Sequence, residues 1–229
     1  MTHLDTALHL ARLGYYVHPL VPGDKMPIAG GNGSNDATRD EELIRVWWED
    51  CPEANVGISL DKTGLVAIAP DCPEWAERFK ANSMPSTVLF ASGGGAGHWH
   101  TWLPCGGPVA RICVPKQYDI MSQGNAVAPG SIHPSGRSYE LRTALLPVEN
   151  LPLAPAWAIK MLAALLFALA SGASRRDIET HVRQLAREVG AEAGISVITP
   201  RSRIERCMPR PGACWGWSSR QPCGTIAQP

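Results

Sequence analysis

The 229-residue chain has no excess of either charge: 21 Lys and Arg stand against 21 Asp and Glu. A neutral molecule is no long-range attractor of polyanions, so affinity for DNA or RNA would have to come from a local basic patch that neutralises phosphates. No two of the seven cysteines have C-x-x-C spacing, and their number is odd. That speaks against a disulfide framework and reads as reduced thiols of a cytoplasmic protein. No basic segment followed by an apolar run opens the chain, so no signal peptide is expected. The longest apolar stretch, residues 161–170, falls short of the ~20 residues a membrane span requires and is expected to be a buried helix. A Gly-x-x-x-x-Gly-Lys-Ser/Thr loop is missing, which leaves no P-loop motor in this sequence.

What is present is ordinary globular material, with 45% hydrophobic and 18% charged residues. The length suits one domain plus an appendage. Twenty prolines and 22 glycines point to short elements joined by many loops. Leu4, Ala7, Leu8 and Ala11 have helical spacing, and Gly14 sits where a left-handed cap ends a helix. A strand is expected over 15–20, then a Pro/Gly-rich loop over 21–33 with Lys25 as its base. Thr38 and Glu41 have capping-box spacing and predict a helix through Trp48. Strands are expected over 56–59 and 65–68, and a helix from Pro73 to about Lys80. Further strands are expected over 87–91, 99–103, 118–121, 126–128 and 139–142. Helices and strands without strict alternation predict an α+β fold with helices on a mainly antiparallel sheet. The Pro-rich stretch 151–155 marks a boundary. After it come an apolar helix and an amphipathic one carrying Ile178, Val182, Leu185 and Val189.

Three stretches can carry chemistry. Residues 64–79 place Asp71 at the end of an apolar strand, where a rigid backbone can present a carboxylate to a cation, or where it merely caps the next helix. Residues 91–104 hold Ser92, Gly93 and Gly94 in a loop whose backbone can approach an anion, with His98 as a donor; an ordinary hairpin is an equal reading. His98 and His100, two apart, also allow a metal-ligand reading. Residues 117–139 put Asp119 within an apolar strand, costly unless paired, metal-bound or on a solvent-facing edge. Ser131, His133 and Arg137 then follow in a polar turn, where they are either an anion-gripping set or plain turn residues.

The order of these pieces resembles the N-terminal domain of the bifunctional primase-polymerases, of the archaeo-eukaryotic primase type. The resemblance is carried by Pro19-Leu20-Val21-Pro22-Gly23-Asp24-Lys25-Met26-Pro27, by Ala37-Thr38-Arg39-Asp40 with Trp47-Trp48, by Pro52-Glu53-Ala54-Asn55-Val56-Gly57, and by the three stretches above. It covers about residues 4–158. It implies a primase-polymerase fold and nucleotidyl transfer at a site that holds Mg²⁺ or Mn²⁺ on an Asp-x-Asp pair plus a later acid. Carried over by position, Asp71 is the second acid and Asp119 the later one. Ser92, Gly93, Gly94 and His98 would contact the triphosphate, and Lys25, Ser131, His133 and Arg137 would line the nucleotide pocket. Single-stranded DNA template and nucleoside triphosphates are the implied partners, in replication of a phage, plasmid or other mobile element, with a helicase encoded separately or lost.

The departure is as specific as the match. The first acid of the pair falls at Ala69, in Ile68-Ala69-Pro70-Asp71, and a methyl group cannot bind a cation. Weak or absent polymerase activity is therefore expected, with a nucleotide- or template-binding module, or a fragment of a primase-helicase, as the alternative. The expected organisation is a primase-polymerase domain over 1–158, a helical extension over 159–190 and a basic tail over 191–229. The tail, with Arg201, Arg203, Arg206, Arg210 and Arg220, is expected to be poorly ordered. It reads either as a nucleic-acid-binding arm or as a truncated or out-of-frame end.

Overall fold

A computed structural model describes residues 1–184, apart from Ser86, Pro108, Val109, Pro115, Arg175, Glu179, Val182 and Arg183. Val182, Leu185 and Val189 of the expected amphipathic helix, and the whole basic tail, lie outside the described residues.

The first helix, α1 (His3–Arg12), starts at Thr2, whose hydroxyl accepts from the Asp5 amide while the Asp5 carboxylate accepts from the Thr2 amide. Its apolar face lies against β1 (Val17–Leu20) and α2 (Glu41–Asp50). The start of α2 differs from the sequence expectation. Its cap is Asp40, which accepts from the amides of Glu42 and Leu43. Thr38 is committed elsewhere, because its amide and carbonyl both pair with Val17 at 2.9 Å and hold it extended against β1. Next come β2 (Asn55–Ser59), the short helix α3 (Leu60–Thr63), β3 (Leu65–Pro70), α4 (Pro73–Ala81), β4 (Leu89–Ala91) and β5 (Trp99–Pro104). They are followed by β6 (Arg111–Val114), β7 (Tyr118–Met121), β8 (Asn125–Val127), β9 (Glu140–Leu141) and α5 (Ala156–Ala170). Neither α3 nor β6 was expected from the sequence.

Two sheets result, a three-stranded one in the order β1-β2-β8 and a six-stranded one in the order β6-β7-β3-β5-β4-β9. Every strand pair among the described residues is antiparallel. The architecture is α+β, as expected.

Period-two alternation assigns each strand of the larger sheet two faces. Val66, Ile68, Ile112, Ile120 and Leu103 face α4 and α5, where they pack on Trp75, Phe79, Leu162 and Leu165. Leu65, Ala67, Phe90, Trp102 and Met121 face the smaller sheet and join Val17, Val56, Ile58 and Val127 in a second core. Asp119, Ala69 and Cys113 belong to this second face by register. The site therefore lies at the polar end of the cleft between the sheets. Asp119 is not on an edge strand: β7 runs between β6 and β3.

His18 of β1 is 2% exposed, and neither ring nitrogen has a hydrogen-bond partner among the described residues. Gly57 makes its room, since a Cβ there would sit 2.7 Å from Nε2. Burial pushes the imidazole down to about 4. A base whose folded value is depressed stabilises the fold above its unfolded value, and that contribution is lost as pH falls from 6.5 toward 4. Charging His18 should cost about 2 kcal/mol at pH 5. The loss of unfolding free energy between pH 7 and pH 5, measured in urea, should shrink by that amount in His18→Leu; an equal loss in both chains would contradict the assignment.

Candidate functional site

The cleft end is built from strand ends. On β3, Ala69 is directly opposite Asp119 of β7 and 4% exposed. A side chain at position 69 therefore points at the same space as the Asp119 carboxylate. Asp71 follows the strand, its amide donating to the Gln117 carbonyl at 2.6 Å. It does not cap α4, whose cap is Cys72 with no side-chain bond. The Asp71 carboxylate instead lies 3.6 Å from His98 Nδ1. Its acidity is weakened by burial first and by the charge of Asp119 second, against the opposing influence of His98 and Lys25. Asp119 is held at Oδ2 by Arg111 at 3.0 Å.

The glycine loop seats side chains. A Cβ on Gly93 would lie 2.5 Å from that of His133, and one on Gly94 would collide with His98 Nδ1. Gly97, at φ +78°, abuts the backbone of Cys72 and Pro73. The Gly94 amide faces Ser92 Oγ at 3.4 Å, and the Ser92 amide donates to the His98 carbonyl at 3.1 Å, closing the turn. These glycines let the loop press against both histidines and the start of α4. Gly97→Ala is left no room by the backbone of Cys72 and Pro73. It should cost about 1–3 kcal/mol, read as a lower urea midpoint; an unchanged midpoint would contradict this packing.

The polar turn over 129–138 is locked from behind. Ser131 is 0% exposed, and its Oγ accepts from the Val56 amide at 3.0 Å. Its hydroxyl thus anchors the turn to β2 and is not presented to the cleft. The amide and the Oγ of Ser135 lie 3.1 and 3.0 Å from His133 Nδ1, so this edge of the ring is held by the turn. Ser135 Oγ donates to the Gly93 carbonyl at 2.9 Å and ties this turn to the glycine loop. His133 is pushed down, by burial first and then by Lys25, His98 and Arg137. Lys25 and Arg137 are exposed, with no side-chain ion pair among the described residues.

Three residues matter more than their sequence context suggested. Asn55, 0% exposed, receives the Ile132 amide at 2.8 Å and donates to the carbonyls of Ile132 and Asp24 at 2.7 and 2.9 Å. One amide thereby clamps the Lys25 loop to the His133 turn. His100 packs between Phe90 and Tyr139, with ring centroids at 5.2 and 5.8 Å. Burial, then Lys25, His133 and His98, push it down to about 3, so it is neutral at physiological pH. The third is Arg111, whose distance of eight residues from Asp119 means nothing until the β6–β7 register is known.

Lys25, His98, His100 and His133 all act electrostatically on one another or on Asp71, so they share one locale. Its chemistry suits a polyanion: two exposed cations, imidazole donors and few competing acids. It does not suit a pair of hard divalent cations. Asp71 and Asp119 are its acids, the third expected position is a methyl, and Asp119 already has a guanidinium. Among the described residues, no three His, Cys, Asp or Glu side chains are grouped to hold a metal ion.

No curated protein matches the chain. Residues 7–157 match the family model described as "Bifunctional DNA primase/polymerase, N-terminal". That span holds every element from β1 to β9, the cleft between the two sheets, and each of the site residues named above. The chain belongs to the bifunctional DNA primase/polymerase N-terminal family.

Proposed function

We propose that this primase/polymerase-type domain binds a nucleoside triphosphate beside a single-stranded DNA template and transfers nucleotides weakly or not at all. Members of the family generally use divalent metals. The observation that carries the reading is the register of Ala69 against Asp119, which puts a methyl group where a second carboxylate would face a cation. The anion-binding side of the cleft keeps its cations and imidazoles. Lys25 and Arg137 supply charge at neutral pH, and His133, held through Nδ1, turns its Nε2 edge toward a phosphate oxygen. His98 stands between Asp71 and Gly94. Replication of a phage, plasmid or other mobile element, in the cytoplasm and with a separately encoded helicase, is the setting that the family resemblance favours. No helix among the described residues is long and apolar enough to cross a membrane.

Titration of dATP with and without primed template tests the reading. Saturable binding without primer extension supports it, whereas extension by the unmutated chain makes it an active polymerase. The pH dependence has a definite sign. His133 has a lowered pKa, so it is neutral at pH 7 and becomes a cation only on acidification. Affinity for dATP should therefore rise as the pH falls below 6.5, and His133→Asn should flatten the rise. An equal rise in His133→Asn would remove His133 from the site.

A further inference from the structure

Asp119 stands where the family resemblance puts a metal ligand, yet its partner is a protein cation. Arg111 is on β6, opposite Met121, while Cys113 is opposite Asp119. Arg111 and Asp119 are therefore diagonal neighbours on the cleft face of adjacent strands. Their side chains are 33% and 21% exposed, and Arg111 Nη2 lies 3.0 Å from Asp119 Oδ2. Of the remaining polar atoms of this pair, Arg111 Nε and Asp119 Oδ1 are shielded from solvent and have no hydrogen-bond partner among the described residues. Oδ2 is thus already engaged by a cation, and Oδ1 is turned away from solvent.

We propose that Arg111 is a built-in counter-ion for Asp119 that competes with a divalent cation for the Asp71–Asp119 site and weakens its binding. This rests on the reading of the site given above and adds a residue that, together with Ala69, sets its metal preference. A hard cation binds by collecting carboxylate oxygens. Here it would have to displace a guanidinium tethered to the neighbouring strand and strand that charge, half-buried, without a partner. Restoring one acid at position 69 leaves this competitor in place. Triphosphate binding in the unmutated chain is accordingly independent of divalent cation.

The test is Mn²⁺ binding, followed by electron paramagnetic resonance without nucleotide. The 229-residue chain is compared with Ala69→Asp, Ala69→Asp/Arg111→Gln and Ala69→Asp/Arg111→Lys. The Gln double variant should bind Mn²⁺ about tenfold more tightly than Ala69→Asp alone, and the unmutated chain should bind it least. The Lys double variant keeps a charge without the fork and should fall between them, which guards against a Gln variant that fails to fold. Equal affinities for Ala69→Asp and both double variants would overturn the proposal. So would an unmutated chain that binds Mn²⁺ as tightly as the Gln double variant. A parallel dATP titration of the unmutated chain in EDTA and in Mg²⁺ should give one affinity. If dATP binds in neither buffer, the nucleotide-binding reading fails, while the Mn²⁺ series still decides the role of Arg111.

Discussion

Ala69→Asp raises divalent-metal-dependent nucleotide incorporation on a primed single-stranded template by about two orders of magnitude. The physical basis is the strand register. Position 69 faces Asp119 across the β3–β7 pair, so an aspartate there completes a set of three carboxylates at one strand end with Asp71 and Asp119. Stabilising transferring charge with a cation is worth several kcal/mol, and about 1.4 kcal/mol is a factor of ten in rate. Arg111→Gln in the same chain adds to the gain, because it frees Asp119. Asp119→Ala in the Ala69→Asp background returns incorporation to the level of the unmutated chain. If Ala69→Asp and Ala69→Asp/Arg111→Gln both remain at that level, something other than the missing acid limits transfer.

Asn55→Leu is the substitution with the largest expected effect on the fold and the site together. The side chain is fully buried and makes three hydrogen bonds to two loops. Leucine has nearly the same volume and satisfies none of them, so the Ile132 amide and the carbonyls of Ile132 and Asp24 lose these partners. One buried group left unsatisfied costs about 1–3 kcal/mol, and with the loops partly relaxing the total should be about 3 kcal/mol. The urea midpoint should drop accordingly. Affinity for dATP should fall as well, because Lys25 and His133 are no longer held against each other. A chain that keeps both midpoint and affinity would show that the clamp has no functional weight.

The parts of the fold legible in the sequence were those with long or alternating patterns. The apolar stripe of α1, the strands β3 and β7 and the apolar α5 follow from periodicity and composition. Strand β6 did not, because Arg111–Val114 is a four-residue edge strand flanked by prolines at 108 and 115, too short for alternation to declare itself. Thr38 misled because its capping chemistry lost to a tertiary pairing with Val17. The site divided the same way. Asp71, Asp119, His98 and His133 were read as a group because a family pattern orders them. The Arg111–Asp119 pair and the Asn55 clamp depend on register and on long-range loop contact, which one sequence does not display. Ser131 sits in the expected motif but acts differently, since its hydroxyl satisfies β2 from inside the protein. Gly93 and Gly94 likewise stand where a phosphate loop was expected, and what they provide is space for two imidazoles.

On this reading the cleft keeps its anion-binding cations and imidazoles and lacks a complete metal site. That claim is tested most directly by one assay on the 229-residue chain and its Ala69→Asp/Arg111→Gln variant. Labelled dATP is equilibrated with primed single-stranded DNA and Mn²⁺, and bound nucleotide and extended primer are measured in the same samples. The account predicts comparable nucleotide binding by both chains, with primer extension by the variant alone. Extension by the unmutated chain at the rate of the variant would contradict it.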